Sequence, residues 1–257
     1  MLRLLLPPSV GAARARARAE LLDQSLRADL GETLTIEVAD GYAELAERAE
    51  RGEADVVWMP PTVCARLEPS LASAFKCVRQ GSTSYRSAIV AKRGTHATLD
   101  ELRDARPAWV DRLSVGGHLL ARAALAARGL ADTLREPRFF GSYPAALEAV
   151  LDHEADFAAV AVRDDSAAAL REALAAYVGK VAVDALACLF VTGDTPNDAV
   201  GVTRAVEPRA ADRLARRVFE NERARARAAF CLALDAEGFV RAVPGEYAEL
   251  RRLLTHA

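Results

Sequence analysis

The chain has 257 residues, of which 51% are hydrophobic, and its formal net charge is -2. This composition argues against a disordered chain, and the lack of a basic excess argues against a nucleic-acid-binding surface. The four cysteines, Cys64, Cys77, Cys188 and Cys231, are scattered along the chain. Their spacing predicts no zinc or other metal site, and no cofactor is expected.

The apolar run near the N-terminus is shorter than the one that a secretory leader needs. It spans residues 4–6 and ends at Pro7, whereas a leader needs roughly 7–15 apolar residues. No segment approaches the roughly 20 apolar residues of a membrane-spanning helix. We therefore expect a cytoplasmic protein without membrane insertion, or a periplasmic one if a leader has been removed.

Short apolar segments alternate with amphipathic segments along the chain. The predicted strands are residues 2–6, 33–38, 55–59, 86–91, 108–110, 157–162 and 187–191. The predicted helices are residues 12–30, 42–51, 117–128, 144–152 and 166–176, and residues 208–254 are expected to be almost wholly helical. This alternation predicts an α/β fold with βαβ units and mostly parallel sheets. No internal repeat is apparent.

The common catalytic motifs are absent, and the chemistry is expected where strands lead into helices. There is no phosphate-binding loop, dinucleotide-binding fingerprint or nucleophile elbow. Ser114, Gly116 and Gly117 follow one predicted strand, and Ser142 precedes a predicted helix. Helix N-termini present free N–H groups and a partial positive charge, which suit phosphate, phosphonate or carboxylate. These segments therefore predict an anion-binding site.

Four further side chains are candidates for ligand contact, and each has a structural alternative. Trp58 ends a strand and either lines a cleft or fills the core. Tyr85 either stacks on a ligand or covers a hinge. His118 in the first turn of a helix faces ligand or solvent, and Asp156 is either a ligand contact or a simple turn residue.

Several segments together resemble the phosphonate and phosphite ABC-transporter substrate-binding proteins. Residues 52–61 (GEADVVWMPP) look like the end of their first-lobe strand, and residues 85–94 (YRSAIVAKRG) like their first crossing between lobes. Residues 111–118 (DRLSVGGH) resemble their Ser-x-Ser-Gly-Tyr ligand loop, and residues 140–150 (FGSYPAALEAV) their Gly-Ser-His helix. The likeness covers roughly residues 31–205.

The resemblance implies a type II periplasmic-binding-protein fold with two α/β lobes. The lobes would comprise residues 1–86 with 190–257, and residues 87–189, joined by two crossing strands with a ligand cleft between them. It implies hinge closure around a ligand. The residues implied in ligand contact are Tyr85, Ser87, Ser114, Gly116, Gly117, Ser142 and Tyr143.

Three positions depart from the family pattern and leave the kind of anion open. Gly116 stands where the family loop has its second Ser, His118 where it has an aromatic residue, and Tyr143 where it has a His. We expect a protein that binds a small anion, such as a phosphonate, a phosphate-like group or a carboxylate, without chemistry. A transporter or a sensor protein is the expected partner.

Two other functions remain open at this point. One is a cytoplasmic enzyme on the same fold, such as a chorismate dehydratase-like lyase, for which Asp111, His118 and Asp156 are the first candidates for an acid or base. The other is an interaction module whose lobes face a protein partner such as a sensor kinase. No catalytic residue is assigned.

Overall fold

The computed structural model describes residues 1–7 and 12–255, and it describes residues 12–18 and 255 by their backbone only. The strands are β1 (Leu2–Leu6), β2 (Leu34–Val38), β3 (Val56–Met59), β4 (Leu71–Val78), β5 (Ser84–Lys92), β6 (Pro107–Trp109), β7 (Arg138–Phe139), β8 (Phe157–Val162), β9 (Leu186–Val191), β10 (Thr195–Pro196), β11 (Ala199–Thr203) and β12 (Gly238–Arg241). The helices are α1 (Ala12–Leu30), α2 (Tyr42–Glu50), α3 (Pro61–Leu67), α4 (Leu120–Ala126), α5 (Tyr143–Leu151), α6 (Ala167–Ala182), α7 (Pro208–Leu214), α8 (Arg225–Leu234) and α9 (Ala248–Thr255).

The described chain divides into two compact units. Unit 1 comprises Met1–Thr83 and Pro196–Thr255, and unit 2 comprises Ser84–Thr195. The chain therefore leaves unit 1 after residue 83 and returns to it at residue 196. The sequence analysis predicts these two boundaries between the units at residues 86/87 and 189/190.

Unit 1 contains a six-stranded mixed sheet with the order β12-β4-β11-β3-β1-β2. β1 runs parallel to β2 and β3, whereas β11 runs antiparallel to β3 and β4, and β12 runs antiparallel to β4. The expectation of mostly parallel sheets is therefore wrong for the half of this sheet formed by β4, β11 and β12.

The core of unit 1 contains a group of packed phenylalanines. Phe75 on β4 stacks on Phe219 with ring centroids 4.7 Å apart, and Phe219 also contacts Phe230 and Phe239. All four side chains are buried. Burial of this apolar surface gives the principal favourable free energy for holding the C-terminal helices on the sheet.

The C-terminal part of unit 1 corrects the prediction that residues 208–254 are almost wholly helical. α8 ends at Leu234, and the next residue, Asp235, adopts a left-handed conformation with φ of 50°. Gly238–Arg241 then form β12, which pairs with β4 and buries Phe239. Pairing with a distant strand satisfies the backbone groups of this four-residue segment, and no local pattern predicts that pairing.

Unit 2 contains a second mixed sheet with the order β10-β5-β8-β6-β7, and β9 also pairs with β5. β6 runs parallel to β7 and β8, whereas β5 runs antiparallel to β8 and β9. Successive residues of β5 enter two different cores: Ala88 and Val90 pack in one, and Ile89 and Ala91 in the other. Both faces of this sheet are therefore covered, as the near-continuous apolar sequence of β5 and β8 requires.

Candidate functional site

The strand directions of unit 2 bring most of the predicted site residues to one edge of its sheet. β6, β7 and β8 are parallel, so their carboxyl ends lie at the same edge. β5 is antiparallel to β8, and Arg86 near the start of β5 pairs with Val162 at the end of β8. The residues at this edge are Tyr85, Ser87, Ser114, Gly116, Gly117, His118, Ser142 and Tyr143.

The first helix start at this edge follows β6. A π-helical turn, Val115–Leu119, continues directly into α4, and the Ser114 Oγ accepts a hydrogen bond from the Gly117 N–H at 3.1 Å. A Cβ at position 117 would stand 2.5 Å from the Val110 Cγ2. Only glycine therefore lets this turn pack against the end of β6.

The second helix start follows β7. The Ser142 Oγ accepts from the Ala145 N–H at 3.3 Å and caps α5. The N–H of Gly141 donates to the Val110 carbonyl at 2.8 Å, while the Val110 N–H donates to the Gly117 carbonyl at 3.2 Å. The backbone of Val110, at the end of β6, is therefore hydrogen-bonded to both helix starts.

Gly116 lies at the centre of a small group of predicted site residues. The Ser87 hydroxyl, which is fully buried, donates to the Gly116 carbonyl at 2.6 Å. A Cβ at position 116 would lie 3.0 Å from the Tyr143 Oη and 3.2 Å from the Tyr85 Cε2. The structure thus brings Tyr85, Ser87 and Tyr143 together around Gly116.

His118 is packed inside unit 2, although the alternatives given by the sequence were ligand or solvent contact. The residue is 8% exposed, and its ring lies 5.1 Å from Trp109 and 5.4 Å from Phe139, measured between centroids. Its Nδ1 lies 2.9 Å from the Arg112 carbonyl, which fixes Nδ1 as the protonated nitrogen. Burial lowers the pKa of His118, because desolvation disfavours the imidazolium form.

Arg112 is a charged residue in the same loop that the sequence reasoning did not single out. Its side chain lies over the Phe139 ring, with the guanidinium carbon 4.8 Å from the centroid, and the residue is exposed. The sequence signal that could have identified Arg112 as a candidate is its position two residues before the cap residue Ser114. Arg86, by contrast, is paired with Asp165 at 3.1 Å and Asp194 at 2.8 Å.

Asp156 lies at the opposite edge of the sheet, before the first residue of β8. Its carboxylate accepts hydrogen bonds from the side chain and the backbone N–H of Arg106. The hydrogen bond from the Arg106 side chain is the main cause that lowers the pKa of Asp156. The structure therefore does not bring Asp156 together with Ser114 or Ser142.

Trp58 belongs to unit 1 and lies near the end of β3. Its indole N–H donates to the Asp198 carboxylate, and Asp198 also pairs with Arg79. The Arg79 side chain donates in addition to the carbonyls of Leu234 and Asp235. Trp58 is half-buried, so one part of the ring is fixed by this network and another part remains accessible.

Two observations concern metals and membranes. Within residues 1–7 and 12–255, no group of three or more His, Cys, Asp and Glu side chains is arranged to hold a metal ion. None of the helices in this described part of the chain combines the length and the apolar character that crossing a bilayer requires.

The fold is that of the type II periplasmic binding proteins. XAC2383 from Xanthomonas citri, bound to ATP, superposes with a TM-score of 0.79 at 18% identity, covering 100% of this chain and 98% of the other. PhnD1 from Prochlorococcus marinus, in complex with methylphosphonate, gives 0.71 at 14% identity, covering 99% and 97%. The aliphatic sulphonate binding protein SsuA from Escherichia coli gives 0.53 at 16% identity, covering 99% and 90%.

The chain belongs to the family described as "ABC transporter, phosphonate, periplasmic substrate-binding protein", whose model matches residues 4–247. A search of curated proteins found no match. Membership confirms the resemblance noted in the sequence. It also defines the chain as a member of a ligand-binding family whose proteins serve ABC transporters and are normally periplasmic.

Proposed function

We propose that this protein binds a small anionic ligand, with a phosphonate, phosphate-like or carboxylate group, at the two helix starts of unit 2. The anion is held by the N–H groups at the start of the turn Val115–Leu119 and by the Ser142 hydroxyl. The residues grouped around Gly116, which are Tyr85, Ser87 and Tyr143, complete the site. The protein binds the ligand and releases it unchanged.

The observation that carries this proposal is the double connection through Val110. Its N–H and carbonyl join the turn at Gly117 and the loop at Gly141, so two helix starts are held at one strand end. Each helix start has a partial positive charge from its aligned peptide dipoles. Two such starts fixed beside one another are suited to a single anion.

The third helix start at this edge is already occupied by a carboxylate. The Asp164 Oδ1 accepts from the Ser166 N–H at 2.9 Å immediately before α6. An incoming anion would meet the negative charge of Asp164 there. The starts after β6 and β7 are therefore the better candidates, and the exposed guanidinium of Arg112 adds a positive charge to the first of them.

The ligands named for the compared proteins support the anionic class. ATP, methylphosphonate and aliphatic sulphonates all present oxygen atoms around a phosphorus or sulphur atom. Each such group is an acceptor for N–H and O–H donors, which are the groups that this edge of unit 2 provides.

The first test is a calorimetric titration with methylphosphonate, inorganic phosphate, ATP and a simple dicarboxylate. Binding of at least one probe, with recovery of the unchanged compound by mass spectrometry, would support the proposal. Failure of all probes would contradict it, and turnover abolished by Asp111→Asn would favour the enzyme alternative. Hinge closure stays a prediction. Small-angle scattering of the protein with and without the bound probe would test it.

The second test uses two serines with the same capping geometry. Ser142 caps α5 and Ser166 caps α6, with Oγ to N–H distances of 3.3 and 3.2 Å, and both residues are exposed. Replacing either serine with alanine should lower the free energy of unfolding by about 1 kcal/mol. Only Ser142→Ala should also weaken anion binding, by roughly tenfold or more, because a hydroxyl donor to a charged ligand is lost. Equal affinities for the two variants would contradict the placement of the site.

A further inference from the structure

Unit 1 contains a hollow of about 450 Å³ at the edge of its sheet where β1 and β3 begin. β11 runs antiparallel to β3, so Val202 near the end of β11 pairs with Val56 at the start of β3. β4 runs antiparallel to β11, so Leu71 at the start of β4 pairs with Thr203. The hollow is lined by residues at these strand ends and on α7. It belongs to unit 1, whereas the proposed anion site is formed by unit 2.

The walls of this hollow are largely apolar. They are formed by Leu71, by Val206 and Pro208 at the approach to α7, and by Ala211 and Ala215 along the helix. Its volume falls in the range of roughly 300–1,000 Å³ that is usual for small-molecule sites. Hydrocarbon that leaves water to pack against such walls gains free energy in proportion to the area buried. The walls therefore suit the apolar body of a small molecule.

Arg204 supplies a positive charge to the hollow. The residue is exposed, and its Nε donates to the Leu71 carbonyl at 3.3 Å, which directs the guanidinium. Among the side chains that the structure describes, no carboxylate forms an ion pair with it. Both Nη groups can therefore donate to a ligand oxygen, in the fork geometry that matches a carboxylate.

The other two charged residues that line the hollow are already paired. Arg241 Nε lies 2.7 Å from a carboxylate oxygen of Glu220, and Arg216 Nε lies 3.0 Å from one of Asp212. Arg204 is therefore the uncompensated charge, and the Asp212 carboxylate on the wall opposes a second negative charge on the ligand. This balance favours a monoanion over a doubly charged group.

Ser73 provides a hydroxyl at the same place. Its Oγ is buried and has no hydrogen-bond partner among the described residues, which is uncommon for a buried polar atom. Ser73 lines this hollow and also an adjoining one of about 190 Å³. Rotation of the hydroxyl about the Cα–Cβ bond toward a ligand oxygen would break no existing hydrogen bond.

We propose that this hollow is a second ligand site, which binds a small aliphatic monocarboxylate. Arg204 holds the carboxylate, the Ser73 hydroxyl donates to it, and the apolar walls bury the hydrocarbon body. The inference goes beyond the proposed function, because it concerns another unit and needs an apolar body as well as a negative charge.

The test is a titration of the labelled protein with acetate, butanoate and hexanoate, followed by the NMR signals of the Leu71, Ser73 and Arg204 amides. Hexanoate should shift these signals, and each buried methylene should strengthen binding by up to about fourfold along the series. Hexanol, which has the same body without the charge, should bind at least about fivefold more weakly than hexanoate. Unshifted amides, equal affinity for acetate and hexanoate, or equal affinity for hexanol would overturn the inference.

Two variants test the residues. Arg204→Gln should weaken hexanoate binding by about fivefold or more, and Arg204→Lys should restore part of it because the charge is retained. Arg225→Gln is the matched control, since Arg225 is another exposed arginine of unit 1 and does not line the hollow. Ala72→Phe, at an exposed position that lines both hollows, should weaken binding by about tenfold by filling the space. Equal losses in Arg204→Gln and Arg225→Gln, or full affinity of Ala72→Phe, would overturn the inference.

The two sites can be told apart by exchanging the variants and the probes. Ser142→Ala should leave hexanoate affinity within about twofold, and Arg204→Gln should leave methylphosphonate affinity within about twofold, because distant sites act independently. Hexanoate binding that is lost in Ser142→Ala and kept in Arg204→Gln would place the carboxylate in unit 2 and overturn the second site.

Discussion

The carboxylate of Asp156 is fixed by Arg106 through three hydrogen bonds, from the backbone N–H at 2.7 Å, from Nε at 3.1 Å and from Nη2 at 2.8 Å. Unit 1 contains the same arrangement, in which Asp55 accepts from the backbone N–H, Nε and Nη2 of Arg3 at 2.8, 3.2 and 3.0 Å. Each aspartate precedes a strand and follows the residues Glu-Ala. The same tripeptide with the same ion pair therefore occurs in both units.

We expect Asp156→Asn and Asp55→Asn to have the same effect on stability. Each change removes a charge-assisted acceptor of three hydrogen bonds, which should lower the free energy of unfolding by roughly 1–3 kcal/mol in chemical denaturation. Because Asp156 lies at the edge opposite Ser142, its substitution should leave anion affinity within about twofold. A large and specific loss of affinity in Asp156→Asn would instead return this residue to the site.

His118 should make stability depend on pH below neutrality. Burial lowers its pKa, so the unfolded chain takes up a proton at a higher pH than the folded chain does. The free energy of unfolding should therefore fall as the pH drops through the ordinary histidine value of about 6.5. Chemical denaturation between pH 7.5 and 5.5 should show a shallower decrease for His118→Gln than for the wild type, and identical slopes would contradict the assignment.

Gly117 should be among the least replaceable glycines of unit 2. A Cβ there would lie 2.5 Å from the Val110 Cγ2, whereas a Cβ at Gly193 meets nothing within 4 Å. Gly117→Ala should lower the free energy of unfolding by about 1–3 kcal/mol through overpacking, and Gly193→Ala should change it by less than about 0.5 kcal/mol. Thermal denaturation of the two variants side by side measures the difference, and equal melting temperatures would contradict the close packing at Val110.

Asp198 should control both the stability of unit 1 and the environment of Trp58. Asp198→Asn leaves the Arg79 guanidinium without its carboxylate, which should cost up to about 3 kcal/mol because the pair is partly buried. Asp212→Asn is the control, since its pair with Arg216 is exposed and should contribute less than about 1 kcal/mol. Trp58 fluorescence, obtained by subtracting the Trp58→Phe spectrum, should shift in Asp198→Asn only.

Several parts of the fold were predictable because their causes are local. The bounds of β1, β8 and α1 agree with the sequence prediction, and α5 agrees to within one residue at each end. Ser142 caps α5 in the structure as its position before Pro144 suggests. Apolar runs and capping residues act over a few neighbouring positions, so the sequence contains the relevant information.

Other parts depended on pairing between distant segments. β4, β11 and β12 were not predicted. β4 pairs antiparallel with both β11 and β12, and more than a hundred residues of sequence separate it from each of them. Their residues alternate weakly in polarity, so the local pattern does not distinguish them from other structure.

The sequence alone determined the α/β class and the Ser142 cap of α5, because alternation and capping depend on adjacent residues, and the resemblance of its motifs indicated the family. Tertiary structure decided that Asp156 lies at the far edge of the sheet and that Val110 joins the two starts. It also decided that Gly116 lies close to Ala161, Tyr143 and Tyr85. Strand direction and side-chain contact between distant residues follow from long-range pairing and packing, which no single stretch of sequence specifies.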